Sequence, residues 1–396
     1  MIGDIVIEKT EIDKGFKYYN LDRKYINRCY ECADIINNNA QYLELFNKMF
    51  MVLNYEDFDN IRPYWNIKNI DEIFGENVDD FVTNLIIVLS YKNHEENMKE
   101  FLEKCELCPR KCKINRYETL GFCKAQDKIK VAHIALHKFE EPCIINKNGS
   151  GTIFFSGCNL RCCFCQNYKI SMEGYGIEIS SQELAEKMLK LQNMCADNIN
   201  LVSPTIYAIQ IKEAIKIAKE KGLNIPIIYN TNGYENVETL KMLEGYIDVY
   251  LPDFKYATSF MSEKYSLAKD YPIVAKNAIK ECLRQVPNNI YDENGKILKG
   301  VIIRHLVLPN HLLNTKNVLN IIQSEYGKDV SVSIMAQYFP TYKAIEIEKL
   351  NRKITKKEYD KVIGFIEELE LSNGYIQELE DNEEKYVPLF DLRTLE

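Results

Sequence analysis

The hydrophobic pattern changes character along the chain. From about Ala132 onward, short β-branched and aromatic runs alternate with amphipathic runs, the signature of strands separated by helices. Thr152–Ser156, Asn198–Ser203, Pro226–Thr231, Ile247–Leu251, Gly300–Leu308 and Val330–Met335 read as strands. Ser180-Ser181-Gln182-Glu183 opens a helix with a capping box, and that helix runs to about Asn193. Ile206–Lys221 reads as a helix stopped by Gly222. Further helices are expected at Val237–Leu243, within Ser259–Val286 and at Asn317–Tyr326. Thr355-Lys356-Lys357-Glu358 caps a last one, to about Leu369. Six βα units of this kind predict a parallel sheet with helices outside, because such crossovers are right-handed. An open, partial barrel and a doubly wound sheet both suit six units. In either, reactive groups lie just past the C-terminal ends of the strands.

Residues 1–100 show helix-like patterns, for example Asn38–Leu53 and Asn77–Ser90, and are expected to form a small helical N-terminal domain. Residues 101–127 are too short for a core of their own and need a metal or a neighbour. The expected division is therefore 1–100 helical, 101–127 cysteine-rich, 128–345 α/β and 346–396 a C-terminal helix and tail.

Composition narrows the class. The chain has 396 residues, 50 Lys+Arg against 58 Asp+Glu, and a formal net charge of −8, which offers no overall footprint for nucleic acid. Hydrophobic residues are 46% and charged residues 27%, ordinary for a globular protein. The longest apolar stretch, near Phe81–Leu89, is interrupted by Thr83 and Asn84 and is too short for a bilayer. The start, Met1-Ile2-Gly3-Asp4, lacks the basic and apolar regions of a secretory signal, so a cytosolic location is expected.

Cysteine is the anomaly. In a cytosolic chain, 13 cysteines are not a disulfide framework. Ten of them fall into Cys29/Cys32, Cys105/Cys108/Cys112/Cys123 and Cys158/Cys162/Cys163/Cys165, a grouping that soft metals or iron–sulfur clusters explain. Cys158, Cys162 and Cys165 follow the first barrel strand with spacing C-x3-C-x2-C. Three thiolates hold three corners of a four-iron cluster and leave one iron open to another ligand. Cys105, Cys108, Cys112 and Cys123 offer four thiolates, a closed set for zinc or for an auxiliary [4Fe-4S] cluster. Cys29/Cys32, a lone C-x2-C, fits packing on one helix face as well as a ligand role. Cys163, His133 and His137 read as structural, and Glu140-Glu141-Pro142 as a run near the barrel mouth without an assigned role.

The segment Gly149–Ser171, with Phe164 as the aromatic before the third cysteine, resembles the radical AdoMet (radical SAM) superfamily. Asn198–Thr205, Asn230-Thr231-Asn232-Gly233, Leu251–Tyr256 and Arg304–Pro309 resemble its subgroup around pyruvate formate-lyase activating enzyme, in particular homologues with an upstream CxLCPRxC…GxC segment. The likeness covers roughly residues 101–345. It implies a partial (β/α)6 barrel, and a [4Fe-4S] cluster on Cys158, Cys162 and Cys165 whose fourth iron is chelated by S-adenosyl-L-methionine. It further implies a 5′-deoxyadenosyl radical that takes hydrogen from a substrate, and an electron donor such as flavodoxin or ferredoxin. An oxygen-poor host follows from the exposed cluster.

Carried over residue by residue, Asn200, Ser203 and Thr205 lie where relatives have a Gly-Gly-Glu strand end, which this sequence lacks. Asn230 and Thr231 fall where relatives have Asp-Thr; Asp253 and Lys255 match an Asp-x-Lys element near the cofactor carboxylate. The Asp implies a bridging monovalent cation, although Asn230 replaces one carboxylate. Arg304 is placed to pair with the cofactor carboxylate. His305 alternates with Arg304 and so faces the other way, while Gln337 and Tyr338 follow the last strand as substrate-pocket residues. Two enzyme classes remain open: activation of a glycyl radical enzyme, and modification of a small molecule, lipid or peptide. A non-catalytic zinc or metal-binding protein is disfavoured by the acidic balance, by the 5 histidines and by the open three-thiolate set.

Overall fold

The computed structural model describes residues 99–146 and 148–379, together with the single positions Asp34 and Phe390. The expected helices at Asn38–Leu53 and Asn77–Ser90, and the Cys29/Cys32 pair, lie outside the described residues. The chain divides into two units, Met1–Phe101 and Leu102–Glu396, and the second carries the ten-stranded sheet.

Six strands carry the architecture: β2 (Ser150–Phe155), β4 (Ile199–Val202), β5 (Ile227–Thr231), β6 (Val249–Pro252), β8 (Ile297–Leu306) and β9 (Ser331–Met335). They lie side by side in chain order, every neighbouring pair parallel. All residues of β2, β6 and β9 are buried, as expected of strands covered on both faces. The crossovers run through α2 (Ser181–Asn193), α3 (Ala208–Glu220), α4 (Val237–Met242), α5 (Ser259–Ser266), α6 (Tyr271–Gln285) and α7 (Leu312–Tyr326). A short α1 (Tyr168–Ser171) precedes them, and α8 (Lys356–Glu368) follows β9. The capping boxes expected from sequence are formed at Ser180/Glu183 and Thr355/Glu358.

The sheet is longer than the six expected strands. β1 (Ile129–His137) pairs antiparallel with β2, and β3 (Ile177–Ile179) antiparallel with β1. At the other edge β10 (Gly374–Ile376) runs parallel to β9, and a two-residue β7 (Ile290–Tyr291) pairs with β8. The order β10-β9-β8-β6-β5-β4-β2-β1-β3 ends on different strands, so the sheet is open and largely parallel, as a partial barrel is. α7 starts five residues before the expected Asn317. Its first turns contain Asn314 and Thr315, polar but buried. Asn314 donates to Lys255 O (2.9 Å) and accepts from Ala257 N (3.0 Å); Thr315 meets His305 Nε2 at 3.0 Å. Buried polar residues break the apolar period from which a helix start is read.

Candidate active site

β2 ends at Phe155 and the cysteine loop begins two residues later. Gly157 has φ +89° and lies against the Cys123 carbonyl, an approach a Cβ would block. The loop is tied down by its backbone. Cys158 N donates to Cys123 O (3.1 Å), Arg161 N to Ser266 O (3.1 Å) and Cys163 N to Tyr265 O (2.8 Å). Each of the three spaced thiols has a donor beside its sulfur. Asn232 Nδ2 and Leu160 N both lie 3.4 Å from Cys158 Sγ. Ser266 Oγ donates to Cys162 Sγ at 3.0 Å, and Ser171 Oγ is 3.1 Å from Cys165 Sγ. Burial raises all three thiols above the ordinary range, Cys165 to about 12. Phe164 is buried between the edges of Tyr256 and Tyr338. Cys163 is buried and does not line the cavity.

Cys158, Cys162 and Cys165 open on one cavity of about 220 Å³, more than ten times what a single water needs. Phe164, Ser203, Asn230, Thr231, Asp253, Lys255, Arg304 and Gln337 line it with them. Lys255 forms an ion pair with Asp253. Burial pulls the Lys255 ammonium down, but Asp253 and Cys162 beside it leave it raised. Ser203 has φ +60°, unusual outside glycine. Asn200 does not line the cavity; its side chain is fully buried and donates to Glu140 Oε1 at 3.1 Å. Arg304 lies against Glu141 (3.0 Å) and Glu140 (3.6 Å). Thr205 and Thr231 both donate to the enclosed carboxyl of Glu235, which burial raises to about 7. His305 is buried between Phe254 O and Thr315, and burial lowers it to about 4. Tyr338 turns its hydroxyl to Leu350 O, outside the cavity lining.

Cys105, Cys108, Cys112 and Cys123 pack onto the same end of the sheet. Asn236 Nδ2 donates to Glu106 O (2.9 Å) and Thr239 Oγ1 to Leu107 O (2.8 Å). Burial raises Cys108 to about 12 and raises Cys123. Phe122 is sandwiched by two guanidinium groups, Arg110 at 4.0 Å and Arg161 at 4.3 Å from the ring centre. The two cysteine segments therefore share a wall.

The Radical SAM superfamily model matches residues 152–291. An uncharacterised protein of Methanocaldococcus jannaschii is 33% identical over 291 residues, 71% of this chain and 79% of that one. The chain belongs to the radical SAM superfamily. The pyruvate formate-lyase-activating enzyme of Clostridium pasteurianum is 24% identical over 198 residues, 48% of this chain and 76% of that protein. The crystal structure of Streptococcus suis SuiB bound to S-adenosylmethionine is 14% identical, with TM-score 0.39, over 56% of this chain and 48% of SuiB. The chain thus spans about half of SuiB, and that likeness is too slight to bear on function.

Membership of the radical SAM superfamily implies an enzyme with a [4Fe-4S] cluster and S-adenosylmethionine. The donor set fits: three soft thiols on one cavity, each with a hydrogen-bond donor at sulfur. Among the described residues no three His, Cys, Asp or Glu side chains converge on a single metal ion. A cuboidal cluster does not ask for that, since each thiolate takes a different iron. Zinc does ask for it, with all sulfurs about 2.3 Å from one point. Also among the described residues, no helix is long and apolar enough to cross a membrane. Sequence reasoning did not single out Ser171 and Ser266, treated Asn232 as a turn, and left Glu140 and Glu141 without a role. Only Asn232, beside a recognised motif, carried any signal.

Proposed function

We propose that this radical SAM enzyme takes hydrogen from a substrate bound in the cavity, with Cys158, Cys162 and Cys165 as the ligands of its cluster. The observation that carries the reading is the opening of these three thiols, each with its own hydrogen-bond donor, onto one cavity with Asp253 and Lys255. When bound, the cluster and S-adenosylmethionine supply reductive bond cleavage and hydrogen-atom abstraction. Asn232, Ser266 and Ser171 orient the sulfurs and donate to them. Ser203, Asn230, Thr231 and Lys255 line the part of the cavity assigned to the cofactor's methionine end, and Asp253 fixes the Lys255 ammonium. Lys255 engages Asp253 Oδ2, so a bridging monovalent cation would have to use Oδ1. Phe164, between two tyrosines, keeps water from the loop.

The likeness to the clostridial activating enzyme supports a protein substrate, including a glycyl radical enzyme. The four upstream thiols are assigned to a second metal centre, zinc or an auxiliary iron–sulfur cluster. Flavodoxin or ferredoxin is the proposed reductant.

Anaerobic reconstitution with iron and sulfide tests the reading. Reduced protein with S-adenosylmethionine should release 5′-deoxyadenosine, and Cys158→Ala should not. Turnover that persists in the variant overturns the assignment. Iron and zinc counts per chain decide the second site, and an EPR doublet on a candidate partner tests glycyl-radical formation.

A further inference from the structure

The cavity has a second end. His137, the last residue of β1, pairs with Ser150, the first of β2. The loop after β1 therefore enters at the N-terminal ends of the parallel strands, roughly 17 Å along β2 from the cysteine loop. It is pinned there. Asp197 Oδ2 accepts from Asn146 N (2.8 Å) and Gly149 N (3.0 Å), and Asn198 Nδ2 donates to Ile144 O (2.7 Å). The loop carries Glu140 and Glu141 to Arg304 of β8.

Among the described residues the charges there do not cancel. Arg304 Nε is 3.0 Å from Glu141 Oε1, and both oxygens of Glu141 are enclosed. Glu140 is held more loosely, its Oε2 3.6 Å from the guanidinium. The ammonium of Lys255 is engaged by Asp253. Glu140 is thus a surplus carboxylate, its side chain only 7% exposed, and it lines the cavity. Its Oε1 accepts from Asn200 Nδ2, while Oε2 accepts no hydrogen bond among the described residues. Several buried polar atoms beside it make no hydrogen bond among the described residues, both oxygens of Glu141 and Arg304 Nε included. Among the described residues, neither ring nitrogen of His137, 3.7 Å from Glu140, has a hydrogen-bond partner, and Asn200 Oδ1 has none. Phe154, Val202 and Leu306 supply apolar lining to the same cavity. No three potential ligands among the described residues converge here for a metal ion. An N–H donor that brings positive charge complements this end of the cavity.

We propose that Glu140 receives a positively charged nitrogen of the substrate, so that the substrate class is a molecule carrying an aliphatic amine. This rests on the reading of the cavity as the reaction chamber. A guest of this kind puts its ammonium on Glu140 Oε2 and its hydrocarbon body against the apolar lining.

The test titrates the full-length protein with three probes of equal length, pentylammonium, pentanoate and 1-pentanol, followed by ligand-observed NMR. Pentylammonium should bind at least ten-fold more tightly than either of the others. Glu140→Gln should abolish that preference, and Glu140→Lys should turn it toward pentanoate. Equal binding of the three probes to the unaltered protein, or a preference that survives Glu140→Gln, overturns the proposal. Should either variant fail to fold by circular dichroism, the ranking on the unaltered protein decides alone. Acetyl-Gly-Lys-Gly-amide run beside pentylammonium separates the sources: tighter binding of the peptide assigns the amine to a protein, weaker binding to a free small molecule. A protein that releases no 5′-deoxyadenosine leaves this ranking readable, so the two readings fail separately.

Discussion

In the upstream segment the sulfurs are met by neighbouring backbone: Arg110 N–H serves Cys108 and Ala125 N–H serves Cys123, each two residues on. In the barrel loop the same two-residue reach recurs, from Leu160 to Cys158 and from Asn167 to Cys165. There, however, side chains are added from distant elements: Asn232 after β5, Ser266 at the end of α5, and Ser171 of α1. A cysteine-rich turn builds its first donors from its own spacing. A site that must hold sulfur in a set orientation beside a reaction draws on the rest of the fold. Backbone donors survive every substitution but proline, whereas side-chain donors do not.

The sharpest break in the comparison is between Cys158→Ala and Cys108→Ala. The first should reduce 5′-deoxyadenosine release to background with the upstream metal retained. The second should remove upstream metal and leave measurable cleavage. Equal loss of cleavage in both variants, with both folded, would show that the two segments act as one site.

Next in size is Glu235, which anchors Thr205 and Thr231 beneath the barrel cavity. Its carboxyl is raised by burial from 4.5 to about 7. Folded protein keeps this proton where unfolded chain has lost it, so stability falls as pH rises from about 4.5 to about 7. The loss amounts to about 3 kcal/mol. Urea unfolding from pH 4.5 to 8 should show that fall in the unaltered protein and a curve flatter by that amount in Glu235→Gln. Parallel curves would remove Glu235 from the network.

The upstream segment has its own anchor. Arg116, almost fully buried, donates from Nε to Gln126 O (3.0 Å) and from Nη1 to Ile206 O (2.6 Å). Arg116→Met strands those carbonyls and should cost about 2 kcal/mol, with hydrogen exchange rising first in residues 102–126. The smallest effect belongs to Ser266→Ala. With a donor lost from Cys162, the reduction potential of the reconstituted centre should fall while iron content holds. An unchanged potential would make Ser266 a packing residue only.

Much of the fold and site was legible in the sequence. All six parallel strands follow from short apolar runs alternating with amphipathic ones, though not their order, and the helix starts at Ser180 and Thr355 follow from capping boxes. The grouping of Cys158, Cys162 and Cys165 on one cavity with Asp253, Lys255 and Arg304 follows from their positions at strand ends. What the sequence hides is set by contacts across many residues. Ser266 lies 104 residues from Cys162, and nothing in its neighbours marks it. Glu140 reads as part of a run near the barrel mouth without a role, because its surroundings are set by a loop pinned to Asp197 and Asn198. Asn200, expected at the cofactor, is turned toward that glutamate. β10 is three residues long and has no period to detect.

The hydrogen bond from Cys158 to the Cys123 carbonyl, through a glycine that lets the two strands of chain touch, bears on how this enzyme can be shortened. Cutting before residue 128 would leave the Cys158 amide unmet and bare one face of the cysteine loop. The barrel is not a detachable minimal catalyst, and any graft of its motif onto another scaffold has to bring the upstream wall along.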